Sequence, residues 1–281
     1  MTNLQHYINS SFKTSKIFTK TYSTSFSMAT GLLQGRHRDA IYAIYGFVRL
    51  ADEIVDTFHG YDKKLLLTQF ESELKQSIEM GISLNPILQS FQIVVNNYNI
   101  PYSLIDSFLT SMKSDLETKD YSNGKDAGRY IFGSAEVVGL MCLLVFCNGN
   151  QQQYQELKEP AQKLGSAFQK VNFLRDIKDD TELLGRNYFP NLTTNYLNEE
   201  SKKQIIAEIE IEFNEAYKGI KKLPGSSRTA VLLAFMYYKN LLRKIARTHS
   251  KTILKRRVRI SNARKMLLLV KAQTLCKFNL L

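Results

Sequence analysis

The sequence predicts an all-α protein. Apolar residues recur at spacings of three and four. No segment sustains period-two alternation with β-branched enrichment, and only five prolines and fourteen glycines interrupt 281 residues, mostly between long periodic stretches. In order, helices are expected at 3–19, 23–33, 36–59, 62–80, 85–98, 101–119, 126–148, 151–184, 196–222, 227–250 and 258–278. The first lies within MTNLQHYINSSFKTSK and beyond; no apolar run follows its charges, so no secretory signal is visible. The second and third cover YSTSFSMATGLL and IYAIYGFVRLADEIVD. In the fourth, Leu67, Phe70, Leu74 and Ile78 mark one helical face. The sixth begins after Pro101 and repeats Leu104, Phe108 and Met112. The seventh holds the longest uninterrupted apolar stretch, Val137–Cys147, too short to span a bilayer. Polar loops rich in Gly and Asn (Tyr121–Lys125 and Gly185–Asn195) punctuate the chain. No low-complexity linker divides it, so residues 1–281 are read as one domain.

Charge is unevenly spread. The formal net charge is +12, yet the last acidic residue is Glu215; the segment 216–281 holds seventeen Lys/Arg and no Asp or Glu. The preceding 215 residues therefore carry 21 basic against 26 acidic residues, a net −5. A hydrophobic content of 44% excludes a disordered chain. The three cysteines, Cys142, Cys147 and Cys276, read as reduced thiols of a cytoplasmic protein, and no Cys/His spacing suggests zinc. The basic end is compatible with nucleic-acid binding, but no recognised motif accompanies it, so no nucleic-acid partner is expected.

Two helices carry the chemical signal. In 41–56, Asp52 and Asp56 are one turn apart, and Arg49 and Tyr45 continue the stripe backwards. In 165–180, Gly165, Gln169, Asn172, Asp176 and Asp180 step by four, three, four and four, with Ala167, Phe168, Val171 and Leu174 between them. An Asp pair at this spacing is usually a solvated face. Here like charges inside apolar helices are unfavourable unless neutralised, so the stripes are expected to face an interior cavity. Magnesium suits such a site: it takes oxygen ligands and is commonly held by one or two carboxylates plus substrate phosphates. Arg49, Arg175 and Arg186 would meet the remaining phosphate oxygens. The implied reaction is loss of a metal-bound diphosphate.

At these residues the sequence resembles the squalene/phytoene synthase family of head-to-head prenyl transferases, and is most similar to its bacterial phytoene synthases. The matching pieces are YSTSFSMATGLL (22–33), AIYAIYGFVRLADEIVD (40–56), MKSDL (112–116), YIFGSAEVVGLM (130–141), NFLRDIKDDTELLGRNYFP (172–190) and RVRISNARK (257–265). The resemblance implies an isoprenoid-synthase-type helical bundle around a central cavity. It implies that Asp52, Asp56, Asp176 and Asp180 bind Mg²⁺, with Mn²⁺ as a substitute. Arg49, Gln169, Asn172, Arg175 and Arg257 are implied to contact diphosphate or metal-bound water. Tyr22, Ser25, Phe26, Tyr45 and Tyr130 are implied to line the cavity beside the reacting carbons. Glu53 stands where many members have a second Asp, and Asp179 where many have Glu; both keep the carboxylate.

The activity so implied joins two geranylgeranyl diphosphates through prephytoene diphosphate to phytoene, without NADPH. A cavity walled by Phe26, Tyr45, Tyr130, Ala135, Val138 and Gly139 would keep water from the carbocation. The alternatives are a squalene or dehydrosqualene synthase using farnesyl diphosphate, and a non-catalytic relative acting as an assembly factor. In the last helix, Ala263, Met266, Leu267 and Val270 form an apolar stripe flanked by Arg264, Lys265 and Lys271. That helix is expected either to dock on the core or to meet anionic lipid on the inner membrane face.

Overall fold

The computed structural model describes residues 2–117, 124–182, 188–189 and 197–280, except the side chains of 179–182. No strand occurs among the described residues. The helices are α1 (Asn3–Tyr22), α2 (Thr24–Thr30), α3 (Gly35–Asp56), α4 (Lys63–Met80), α5 (Pro86–Tyr98), α6 (Tyr102–Glu117), α7 (Gly124–Ile131), α8 (Val137–Cys147), α9 (Gln151–Glu182), α10 (Glu199–Ile220), α11 (Gly225–Arg247), α12 (Ser250–Ile253) and α13 (Asn262–Lys277). A π-helical turn, Phe132–Glu136, joins α7 to α8.

Local chemistry sets many of these boundaries. The Ser23 side chain caps α2, Asp62 caps α4, and Asn85 caps α5 ahead of Pro86. Asn198 and Ser201 form a reciprocal capping box at α10. Gly81, Asn99 and Asn148 end α4, α5 and α8 in the left-handed conformation. The helix expected at 227–250 stops at Arg247, and α12 follows as a separate turn whose Lys251 N–H is capped by the His249 ring.

The core has two parts. In the first, α1, α3, α4, α5, α6 and α8 enclose Phe47, whose ring stacks on Phe91 at 4.1 Å and meets Phe70 and Phe108 at 5.7 and 5.3 Å. In the second, α9, α10 and α11 bury Leu174, Phe213, Leu233 and Leu242, with α13 docked alongside. Leu32 and Val231 pack against both parts. Residues Gly124–Cys147 form one continuous helical rod, long and apolar enough by length and composition to cross a membrane, but mostly buried as a core element.

Of the two expectations for the α13 stripe, docking on the core and an outward face, the stripe takes the outward one. Leu268 and Ala272 make the docked face, whereas Met266, Leu267 and Val270 are 51%, 62% and 59% exposed. Periodicity shows that a helix has an apolar face. It does not show which of two apolar strips the neighbouring helix covers.

Candidate active site

A cavity of about 280 Å³ lies between the two parts of the core. Its wall draws Phe26 from α2, Tyr45 and Val48 from α3, Ala135 from the π turn, Val138 and Gly139 from α8, and Phe168 from α9. Phe26, Tyr45, Ala135, Val138 and Gly139, expected to wall a cavity, are all among its lining residues. Small side chains and bare backbone let the helices close around it. At Gly165 on α9, a Cβ would lie 2.8 Å from the Ala135 carbonyl oxygen and 3.0 Å from Glu136 Cα, so α9 touches the π turn directly. Phe26 stacks on Tyr45 at 4.5 Å, and Phe168 stacks on Tyr238 of α11 at 3.9 Å. Few polar groups enter; Ser134 and Gln169 are among them.

Each acidic stripe begins at this wall and continues along its own helix. On α3, Tyr45 lines the cavity and Arg49, Asp52 and Asp56 follow in successive turns. Arg49 pairs with the buried Glu53, approaches Asp52 at 3.8 Å, and lies over the Tyr22 ring at 4.6 Å. Among the described residues, its buried Nε has no hydrogen-bond partner. The Asp52 side chain keeps 32% of its surface open to the cleft, but protein encloses it elsewhere. Burial pushes its carboxyl up to about 8; Asp56 pushes the same way, Arg49 opposes, and Asp115 and Glu53 add to the rise. Burial likewise raises the Tyr45 phenol to about 12.

On α9, Gln169 lines the cavity and Asn172, Arg175 and Asp176 follow. The Tyr238 hydroxyl donates to Asn172 Oδ1 at 3.2 Å, and Asn172 Nδ2 stands 3.5 Å from Gln169 Oε1. Asp176 accepts from two guanidiniums: from Arg175 at 2.9 and 2.5 Å, and from Nη2 of Arg257, in the segment before α13, at 3.3 Å, with Arg257 Nε in an ion pair at 2.8 Å. The structure thus joins Asp176 to a residue 81 positions away. The side chain of Asp180 and the whole of Arg186 lie outside the described residues.

Tyr130 is placed differently from the expectation. It does not line the cavity; it is buried against Tyr188 at 5.2 Å and Phe173 at 6.2 Å, with its hydroxyl on Asp115. Ser25 is partly buried on α2, and no polar contact ties it to the carboxylates among the described residues. Sequence reasoning missed Tyr238 and Asp115. The first offered no motif; the second stood in MKSDL as a lone acid without a partner at helical spacing.

The donor set fits a divalent cation bound together with an oxyanion. Asp52 is a carboxyl held against its own charge, which a cation would relieve, and Arg49 offers an unspent buried donor. Among the described residues no three His, Cys, Asp or Glu side chains already converge as a cage. Magnesium does not require one, since it keeps waters and takes ligands from bound phosphates.

Comparison with known proteins bears on what this end of the cavity does. The squalene/phytoene synthase family model matches residues 19–264. A chloroplastic phytoene synthase from an Oncidium hybrid cultivar is 28% identical over 88% of this chain, and a phytoene synthase from Arthrospira platensis is 26% identical over 94%. The match covers 92% of the Arthrospira protein but 63% of the Oncidium one, so the chain spans less than two thirds of the latter's length. A dehydrosqualene synthase crystal structure superposes with a TM-score of 0.81 and 24% identity, covering 97% of this chain and 98% of its own. A squalene synthase from Alicyclobacillus acidocaldarius gives 0.73 and 20%, covering 85% and 94%. At these identities the structural likeness establishes the fold.

Proposed function

The chain belongs to the squalene/phytoene synthase family, and from that premise we propose that it acts, as one domain, as a Mg²⁺-dependent phytoene synthase. The reaction joins two geranylgeranyl diphosphates through prephytoene diphosphate. One observation carries the reading: an apolar, aromatic-walled cavity is lined by Tyr45 of α3 and Gln169 of α9, and Arg49 and Asp52, like Asn172 and Asp176, follow these within two turns of the same helices. An allylic diphosphate has those two needs, an apolar sleeve for its chain and a polar end for its leaving group. The phytoene synthase relatives named above support the substrate chosen.

Asp52, Asp56, Asp176 and Asp180 are the residues that would hold Mg²⁺, Asp180 on the strength of the family motif alone. Bound there, the metal would neutralise the diphosphate and make it a better leaving group. The rest falls to the chain. Arg49 brings its unspent Nε and Arg175 and Arg257 bring charged donors to phosphate oxygens. Phe26, Tyr45, Phe168 and Tyr238 line the cavity and exclude water; an aromatic face stabilises a nearby carbocation by about 0.5–2 kcal/mol. Gln169 and Asn172, tied to Tyr238 and Ser134, fix the polar rim. Tyr22 braces Arg49 from outside.

Product analysis tests this directly. Purified protein with Mg²⁺ is expected to convert geranylgeranyl diphosphate to phytoene without NADPH. Consumption of farnesyl diphosphate alone would reassign it as a squalene or dehydrosqualene synthase, a reading favoured by likeness of fold. Inactivity with both would favour a non-catalytic relative.

The outward face of α13 supports a peripheral membrane contact. Met266, Leu267 and Val270 are exposed between Arg264 and Lys271, and no carboxylate pairs with those two bases among the described residues. Lys265 reaches Thr24 beside α2 at 2.9 Å, so this face borders the helix that carries Phe26. Such a surface suits anionic lipid and an enzyme with an oily product. Co-sedimentation with anionic vesicles that is weakened by salt and by Leu267→Glu is the expected result; indifference to both would refute the contact.

A further inference from the structure

The first turn of α10 holds the corner between α11 and α12 by its backbone. α11 stops at Arg247 and α12 starts at Ser250, with Thr248 and His249 out of helix between them. Lys202 Nζ donates to the Thr248 carbonyl at 2.8 Å and pairs with Glu199 Oε2 at 2.7 Å; Glu199 Oε1 accepts from the Ser250 N–H at 2.6 Å. The Lys202 side chain is only 4% exposed. A lysine so buried is costly unless its ammonium is paired and hydrogen-bonded, as this one is. Such a pair adds little net stability over an apolar residue of the same size. What it adds is geometry, because one base and one acid grip the acceptor before His249 and the donor after it. The Lys202 ammonium, and after it the Ser250 N–H, hold the Glu199 carboxyl down to about 2, so the clasp stays ionised at working pH.

This corner leads to the polar end of the site. Ile253 of α12 is fully buried in the same part of the core as Leu174 and Ile177, and α12 touches α9 there, beside Asp176. The Thr252 carbonyl accepts from the Arg256 N–H at 3.0 Å, and the next residue is Arg257, whose guanidinium meets Asp176. The Arg257 side chain is 41% exposed, so its place depends on the backbone from which it hangs. Beyond it, Lys244 Nζ donates to the Arg259 carbonyl at 2.7 Å. Arg257 is slung between two ties, of which the clasp at the corner is the buried one.

We propose that Glu199 and Lys202 are positioning residues for the diphosphate end of the site, setting through α12 where Arg257 stands against Asp176. The role rests on the prenyl-transfer reading of those two residues. A clasp that served folding alone would hold α10 to α11 and leave diphosphate affinity untouched.

Lys202→Met, Arg257→Ala and the double variant Lys202→Met/Arg257→Ala, made in the full chain beside wild type, test the role by calorimetric titration with inorganic diphosphate in the presence of Mg²⁺. Methionine fills the space of the lysine stem without its charge. Arg257→Ala is expected to weaken binding about tenfold, the size of one charged hydrogen bond, and Lys202→Met about 3–10-fold. The double variant is expected to lose no more than about twofold beyond Arg257→Ala, because the clasp acts through that arginine. Should Lys202→Met lose its helical circular dichroism, Glu199→Gln, alone and with Arg257→Ala, carries the comparison. An amide has one acceptor oxygen, so it serves Ser250 or Lys202 but not both.

Unchanged diphosphate affinity in both Lys202→Met and Glu199→Gln, or losses that multiply with that of Arg257→Ala, would overturn the role. If wild type binds diphosphate but consumes no prenyl diphosphate, the enzymatic reading fails, and the double-variant comparison still decides whether the clasp acts through Arg257. If wild type binds no diphosphate, the reading and the role fall together.

Discussion

Gly165→Ala adds one methyl group at the point where α9 touches the π turn. Ordinary carbon contacts begin near 3.4 Å, whereas the new Cβ would sit 2.8 Å from the Ala135 carbonyl oxygen, 3.0 Å from Glu136 Cα and 3.1 Å from Ala135 C. All three are backbone atoms and cannot swing aside, so the two helices must part by about half an ångström. Overpacking of this kind costs about 1–3 kcal/mol, and replacing a mid-helix glycine by alanine returns about 0.5–1 kcal/mol. The expected net loss is about 1–2 kcal/mol, or a melting temperature lower by about 2–5 °C in a chain of this size. Function should suffer more than stability. Gln169, one turn further along α9, stands at the 3.5 Å limit of contact with Ser134 of the π turn, and separation breaks that contact. A positional error near 1 Å can cost about 100-fold in rate. Two glycines serve as controls. At Gly139 the nearest atom to a new Cβ is the Ala161 carbonyl oxygen at 3.1 Å, and at Gly128 nothing lies within 4 Å. Thermal unfolding followed by far-ultraviolet circular dichroism should therefore rank Gly128→Ala above Gly139→Ala above Gly165→Ala. A Gly165→Ala protein that melts and turns over like wild type would show that α9 and the π turn do not meet as described.

Two other perturbations probe the polar end and the cavity. In metal-free protein the Asp52 carboxyl sits at about 8 when folded and near 3.8 when unfolded, so between those values the folded state holds the extra proton. Its contribution to stability is therefore present below about pH 4 and lost as pH rises through about 8, by at most about 1.4 kcal/mol per pH unit and less for the cleft's solvent screening. Asp52→Asn is expected to flatten that slope in melting temperature against pH and to abolish turnover; an unchanged slope would exclude a buried carboxyl there. Ala161→Phe, placed in the cavity wall, should cut kcat/KM for geranylgeranyl diphosphate at least about tenfold more than for farnesyl diphosphate. Equal losses would mean that Ala161 is not where the longer chain runs.

The helices were legible in the sequence because each buries a face whose spacing is local. α9 was read as one helix despite Pro160, and Asp52, Asp56, Asp176 and Asp180 stood out by their spacing within apolar helices and by the motifs around them. The π turn was not legible. An i→i+5 turn leaves no mark in YIFGSAEVVGLM, but it widens the rod and shifts the phase between α7 and α8. Tyr130 before the turn therefore faces Tyr188, while Ala135, Val138 and Gly139 face the cavity. Long-range partners were equally silent. Nothing local in residues 112–116 announces that Asp115 meets Tyr130, and the nearness of Arg257 to the acidic end came through family resemblance.

The doubly bound Asp176 has a thermodynamic consequence. Its one carboxylate is shared between the Arg175 and Arg257 guanidiniums and offsets part of their charge. A divalent cation arriving alone would draw the carboxylate from these guanidiniums; a diphosphate arriving alone would draw the guanidiniums from the carboxylate. Each ligand therefore removes a penalty that the other would otherwise meet, and linkage makes the effect reciprocal. Calorimetric titration is expected to show Mg²⁺ binding more tightly once diphosphate is present. In Arg257→Ala that coupling should shrink while some diphosphate affinity survives through Arg49 and Arg175. The ion cluster around Asp176 is thus also what makes two weak ligands bind as one.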